Sequence, residues 1–118
     1  MNAPVGWTTW GLVAAAVLCN ASAQLLMKRA GITDAFNWRA WLDPSLLSAV
    51  VLYGMSFVLT ALVFARMPLS LISPLMAGAI FVLISVFSVV FLREHLDAAR
   101  IGGMAFILVG IVLLSRGV

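Results

Sequence analysis

A chain of 118 residues with 64% hydrophobic and 9% charged side chains is too apolar for a soluble domain, which carries about 25% charged residues. Its formal net charge of +3 and mean hydropathy of +1.18 come with basic residues set mostly singly near the ends of apolar runs, so no basic tract exists to follow nucleic-acid phosphates. The single cysteine, Cys19, excludes an intramolecular disulfide and a cysteine-rich metal site, and its apolar setting reads as ordinary packing.

Crossing the hydrocarbon takes about 20 apolar residues in a helix. Span 1 covers roughly 6–27 and stops at Lys28-Arg29. Ala21-Ser22-Ala23 imitates a signal-peptidase site, but the segment before the apolar run has no Lys or Arg, so the span is expected to be retained. Asn20-Ala21-Ser22 matches a glycosylation sequon that would lie in lipid, and it is set aside. The longest connection, 28–45, holds Trp38, Arg39 and Trp41, the composition of a headgroup anchor, and Thr33/Asp34 can start a short interfacial helix. Span 2 covers roughly 46–65, with Asp43-Pro44 as N-cap and first-turn proline, and stops at Arg66. Span 3 covers roughly 69–92, opens after Pro68, and carries Pro74 inside it, which predicts a kink or a free carbonyl. Span 4 covers roughly 98–115, capped by Asp97, with Arg100 in its first turn. Backbone groups must be satisfied within the bilayer and the apolar runs are continuous rather than alternating, so all four are helices and not barrel strands. The expected fold is an all-α membrane protein: one domain over 1–118, a four-transmembrane-helix bundle without internal repeats.

Lys28, Arg29, Arg39, Arg93 and Arg100 flank one set of loops; Arg66 and Arg116 flank the other, which places both termini outside the cytoplasm. All four acids, Asp34, Asp43, Glu94 and Asp97, lie between spans. No carboxylate is therefore available inside the membrane to exchange protons for a substrate.

The polar residues within the spans fall into groups. Asn20, Gln24 and Lys28, at i, i+4 and i+8, share one face of span 1 from mid-membrane to the interface. They read either as a polar track for a lipid headgroup, with Lys28 taking an anion, or as interhelical hydrogen bonding worth about 0.6–2 kcal/mol per contact. Tyr53, Ser56 and Thr60 share a face of span 2, and Ser70, Ser73 and Ala77 a face of span 3 beside Pro74. These line one weakly polar cavity, or serve close helix packing. On span 4, Ala99 and Gly103 form a small-xxx-small pair followed by Gly110, a pattern for helix contact within the chain or across a dimer. Arg93-Glu94-His95 with Asp97 and Arg100 reads as a solvated, mutually neutralising loop. No triad order, phosphate-cradling glycine loop or metal-ligand spacing exists, so no enzyme, cofactor or metal is expected.

Gln24-Leu25-Leu26-Met27-Lys28, Met67-Pro68, the run Phe81-Val82-Leu83-Ile84-Ser85, and Gly103-Met104 with Gly110 together resemble the small multidrug resistance branch of the drug/metabolite transporter superfamily, over nearly the whole chain. The drug exporters of that branch carry a membrane glutamate eight residues before the span-1 lysine; here the position is Asn20. They also carry a tryptophan where this chain has Met76 and a glycine where it has Ile80. A closer likeness is to the flippase subunits for aminoarabinose-phosphoundecaprenol, in Ala23-Gln24-Leu25, Ser73-Pro74-Leu75-Met76, Arg93-Glu94-His95-Leu96 and the ending Gly103–Ile107 to Gly110–Val112.

The resemblance implies a bacterial inner-membrane transporter of polyprenyl-phosphate or lipid-linked sugar, working as a dimer of opposed protomers, with itself or with a similar small subunit. A lipid keeps its tail in the bilayer while its headgroup crosses a polar groove. That needs hydrogen-bonding groups and an interfacial anion site rather than a buried acid. The candidate substrate residues are Asn20, Gln24, Lys28, Arg29, Tyr53, Ser56, Thr60, Ser73 and Pro74, with Gly103 and Gly110 at the dimer contact. The alternatives are export of a drug or small cation, which must be desolvated without a counter-charge, and an accessory subunit that transports nothing.

Overall fold

The structure, a computed structural model, describes residues 6–32 and 36–116. Four helices follow one another: α1 (Trp7–Ala30), α2 (Pro44–Phe64), α3 (Leu69–Val90) and α4 (Ala98–Arg116). A 3₁₀ turn, Trp38–Leu42, precedes α2, and no strand occurs among the described residues. With 24, 21 and 22 residues, α1, α2 and α3 are long and apolar enough to cross a membrane, and α4 adds a shorter apolar helix. Large apolar side chains point outward along all four, Phe57 at 74% and Phe106 at 81% exposure among them, as lipid permits and water does not. The chain is a four-helix membrane bundle.

The helix ends follow from local chemistry. Span 1 was expected to stop at Lys28-Arg29; α1 instead runs on to Ala30 and ends where Gly31 turns left-handed at φ 56°, its N–H bonded to the Met27 carbonyl. The two cations thus sit in the last turn, facing the negative end of the helix dipole. Asp43 caps α2 through Ser45 N–H at 2.8 Å, with Pro44 at the first helical position. Asp97 caps α4 through Arg100 N–H at 2.8 Å. The third helix ends at Val90, two residues before the expected boundary, and remains one helix through Pro74. Beyond it Arg93 adopts φ 55°, and Glu94 N–H reaches back to the Ser88 carbonyl at 2.9 Å. A left-handed non-glycine residue costs about 1–3 kcal/mol and turns the chain sharply here. Thr33 and Asp34, the expected start of an interfacial helix, lie outside the described residues; the 3₁₀ turn forms a little further on, where the Asn37 side chain accepts from Arg39 N–H.

The helices pack in alternating directions. Ser56 of α2 meets Ala16 of α1 while Arg66 just past α2 meets Thr9, an antiparallel register. Met104 lies against Ser85, and Ile111 against Gly78, in antiparallel α3 and α4. The densest contact is α1 on α2, with α3 laid along α1 and α4 resting on α3. Alanines make the α1–α2 approach possible: Ala16 and Ala23 of α1 have no exposed surface and Ala49 of α2 has 1%. The buried cluster of Val13, Ala16, Val17, Val63, Met67, Ile72 and Met76 lies toward the α2–α3 turn. Away from that turn, α1 and α3 leave space between them.

Candidate functional site

That space is a cavity of about 270 Å³ near the C-terminal ends of α1 and α3. From α1 it is lined by Ala21, Gln24, Leu25 and Lys28, and from α3 and the chain beyond it by Ile84, Phe87, Ser88, Leu92 and Glu94. Gln24 and Lys28 reach it together because four residues bring a helix back to almost the same direction. Asn20 lies one turn deeper and accepts from Gln24 Nε2 at 2.7 Å. The amides therefore partner each other along α1 rather than bridging to another helix. This removes much of the cost of an unpaired amide in lipid and orients Gln24. Lys28 stays exposed at the mouth, where a long apolar stem with a charged head can reach interfacial water.

Arg29 was grouped with Lys28 as an anion ligand, but one residue turns it about 100° around the helix. Its guanidinium sits 5.9 Å from the centre of the Phe91 ring, which in turn meets Phe87 edge-on at 5.6 Å. It does not line the cavity.

The other expected members lie elsewhere. Ser56 is 3% exposed and donates to the Ala16 carbonyl at 3.1 Å, holding α2 to α1. Tyr53 is 37% exposed on the outer side of α2, and Thr60 is half-buried. Ser73 is exposed and Pro74 half-buried near the start of α3, about 20 Å along the helix from Ser88 at ~1.5 Å per residue. Of the expected set, then, Gln24 and Lys28 line this cavity and Asn20 supports them.

A second space of about 360 Å³ lies between α3 and α4. Ser85, Ser88 and Glu94 line it on one side and Arg100, Gly103 and Met104 on the other. The Ser85 hydroxyl donates to the Phe81 carbonyl at 2.8 Å and also contacts the Met104 sulfur. Ile84, Ser88 and Glu94 border both spaces, so a thin wall at the end of α3 separates them. Glu94, read from the sequence as part of a solvated loop, is half-buried and borders both spaces. Its signal in the sequence is one of elimination. Asp43 and Asp97 stand at capping positions before helices, and Glu94 does not. On α4, a Cβ added at Gly103 or Gly110 would meet nothing within 4 Å, so the packing of α4 on α3 does not use either glycine. Gly78 of α3 is the close approach instead: a Cβ there would collide with Ile111 Cδ1.

The arrangement offers a cation, an amide pair, a hydroxyl and a carboxylate in an otherwise apolar cleft opening at one end of the bundle. It can bind a polar group while the apolar walls accommodate hydrocarbon. Among the described residues no group of three or more His, Cys, Asp or Glu is placed to hold a metal.

Comparison with known proteins agrees with this architecture. The family described as Small Multidrug Resistance protein matches residues 8–107. The uncharacterized protein y4nH of Sinorhizobium fredii is 32% identical over 114 residues, covering 90% of this chain and 93% of its own. The multidrug resistance protein EbrA of Bacillus licheniformis is 33% identical over 101 residues, covering 85% of this chain and 89% of its own. No solved structure matches.

Proposed function

The chain belongs to the small multidrug resistance family, and from that premise, a small multi-pass membrane transporter, we propose that it moves a polyprenyl-phosphate or lipid-linked sugar between leaflets. The observation that carries this reading is the line Asn20–Gln24–Lys28, of which Gln24 and Lys28 line the α1–α3 cavity. Lys28 holds the phosphate at the interface, Gln24 and Ser88 contact the headgroup, and Asn20 orients Gln24. Tyr53, Thr60, Ser73 and Pro74 border the remainder of the crossing, in contact with a substrate tail or a second copy. An amide does not exchange a proton in the physiological range, so Asn20 gives no proton coupling at this position.

A 270 Å³ cavity is small for a sugar phosphate and its first isoprene units, which favours a working dimer. The open face at Gly103 and Gly110 suits a second helix, from an opposed copy or a similar small subunit. The setting is the bacterial inner membrane with both termini outside the cytoplasm.

Purified protein in proteoliposomes tests the reading. It requires movement of labelled polyprenyl phosphate between leaflets, lost when Lys28→Ala weakens phosphate binding about 10- to 100-fold, the size of a hydrogen bond to a charged group. Unchanged lipid affinity in that variant removes the phosphate assignment. Activity restored only by adding a second small subunit identifies a heterodimer.

A second reading, export of an organic cation, is favoured by two observations: Glu94 supplies a carboxylate to the same cavity, and a relative is named for multidrug resistance. Proton-dependent uptake of a quaternary ammonium ion, without lipid movement, establishes it in place of the first.

A further inference from the structure

We propose that the α3–α4 space holds the start of the substrate's hydrocarbon chain. One lipid then lies across α3, with its phosphate at Lys28 and its first isoprene units between α3 and α4; this rests on the lipid reading proposed for the chain. Three observations lead there. The first is that the two spaces adjoin. Ile84 and Ser88, one turn apart on α3, border both, as does Glu94 just beyond the helix. A ligand too large for the α1–α3 cavity of about 270 Å³ continues into a further 360 Å³ or so by passing over that ridge alone.

The second is that polarity falls along the α3–α4 space in the order a lipid requires. Glu94, beyond the end of α3, and Arg100, in the first turn of α4, stand at its mouth. From Arg100 to Ile107 the wall runs about 10 Å along α4 at ~1.5 Å per residue. Over that length it turns to Gly103, Met104 and Ile107, facing Ile84 and Ser85 of α3. The Ser85 hydroxyl is already satisfied: it donates to the Phe81 carbonyl at 2.8 Å and touches the Met104 sulfur. No group at that depth asks for a polar partner, so this part takes hydrocarbon. Ser88 differs. Its hydroxyl has no hydrogen bond among the described residues, and it stands at the crossing, where a phosphate or sugar oxygen passes.

The third is that α4 is pressed onto α3 at one end and stands off it at the other. Ile111 packs where a Cβ on Gly78 would collide, whereas a Cβ on Gly103 would meet nothing within 4 Å. Met104, unbranched and with a polarizable sulfur, adjusts to a methyl-branched chain. Apolar walls add little affinity in a bilayer, because the lipid is as apolar as they are. What the crevice supplies is direction. A chain laid in it fixes the side from which the tail leaves α3, and with that the orientation of the phosphate at Lys28.

The test is photolabelling of the full chain in phosphatidylcholine vesicles with two farnesyl phosphate probes. One carries a diazirine on its last isoprene unit, the other on its first. Only label removed by excess unmodified farnesyl phosphate is counted. The last-unit probe should label Ile84, Met104 and Ile107, and the first-unit probe Gln24, Leu25 or Ser88. Ile107→Trp and Leu96→Trp fill the crevice from α4 and from the chain before it, and neither residue lines the α1–α3 cavity. Each should lose most of the last-unit label in the crevice and keep the first-unit label.

Last-unit label on α2 around Tyr53 or on α1 overturns the inference, as does crevice label that persists in both tryptophan variants. Loss of both labels together in both variants overturns it too, because the phosphate site lies on the far side of α3. Lys28→Ala separates the two levels and should remove the counted label of both probes. First-unit label lost there, with last-unit label never found in the crevice, sinks the tail path alone. Both labels unchanged there sink the phosphate reading and this inference together.

Discussion

The two ends of the bundle are built differently. At the α2–α3 turn, Val63, Met67 and Ile72 close against Val13, Ala16 and Val17, with Val63 and Ile72 fully buried. The polar groups there serve packing: the Arg66 guanidinium donates to Thr9 Oγ1 at 3.4 Å, and Ser56 joins α2 to α1. At the other end α1 and α3 diverge around a cavity, and the polar groups there, Gln24, Lys28, Ser88 and Glu94, point into space. A helix pair held at one end and parted at the other opens without a loose core. The closed end supplies the stability that the open end forgoes.

Substitutions can break that division or sharpen it. The largest effect is expected from Gly78→Leu, which drives into Ile111, the point where α4 rests on α3; overpacking of this kind costs about 1–3 kcal/mol. Loss of the α4 contact should appear as a lower unfolding midpoint in detergent and as accelerated proteolysis between α3 and α4. Next is Ile72→Ala at the closed end. In lipid the transfer part of the penalty largely vanishes, leaving the cavity part of about 1–2 kcal/mol. The thermal midpoint should fall while farnesyl phosphate affinity stays within twofold; a parallel loss of affinity would mean that the two ends are not independent.

Ser56→Ala removes one interhelical hydrogen bond, worth about 0.6 kcal/mol and at most about 1.7 in a bilayer. Its effect should again be on stability alone, and a transport defect at normal stability would put Ser56 back on the substrate path. Lys28→Ala is the mirror case. Its exposed side chain predicts a change in the unfolding midpoint equivalent to less than about 0.5 kcal/mol, with the binding loss described above. Asn20→Leu falls between: it releases Gln24 from its 2.7 Å partner, so ligand affinity should fall by less than in Lys28→Ala and stability by a few tenths of a kcal/mol at most, the scale of an i,i+4 amide pair.

Much of this was readable in advance. Pro44 after Asp43 announced the start of α2, and Asp97 that of α4. The apolar span ends at Met27 and the helix at Ala30, because charge marks where lipid stops, not where the helix stops. Lys and Arg are good helix formers, and they carry the helix on into the interface. Gly31 was the terminator, and a glycine just past the periodic run is the usual sign of one. The grouping of Tyr53, Ser56 and Thr60 was correct as helical geometry, yet Tyr53 and Thr60 lie about 40–60° around the helix from Ser56 at ~100° per residue. That angle is enough for Ser56 to be buried against α1 while Tyr53 faces outward. Lys28 and Arg29 were adjacent in sequence and so were given one role; the helix turn sends one to the cavity and the other to Phe91.

By itself the sequence determined the solvent, the number of helices, the position of every charge outside the apolar runs and the angular relations among polar residues on each helix. It did not determine how each helix is rotated against its neighbours. In water an apolar stripe would have settled that, because it must turn inward. In a bilayer the lipid is as apolar as the protein interior, so outward and inward faces look alike in composition. Only the packed structure decided that α1 turns Ala16 toward α2 and Gln24 and Lys28 toward α3, and that Glu94 stands at the wall between two spaces. Close approach of small residues fixed the first, and the left-handed turn at Arg93 fixed the second.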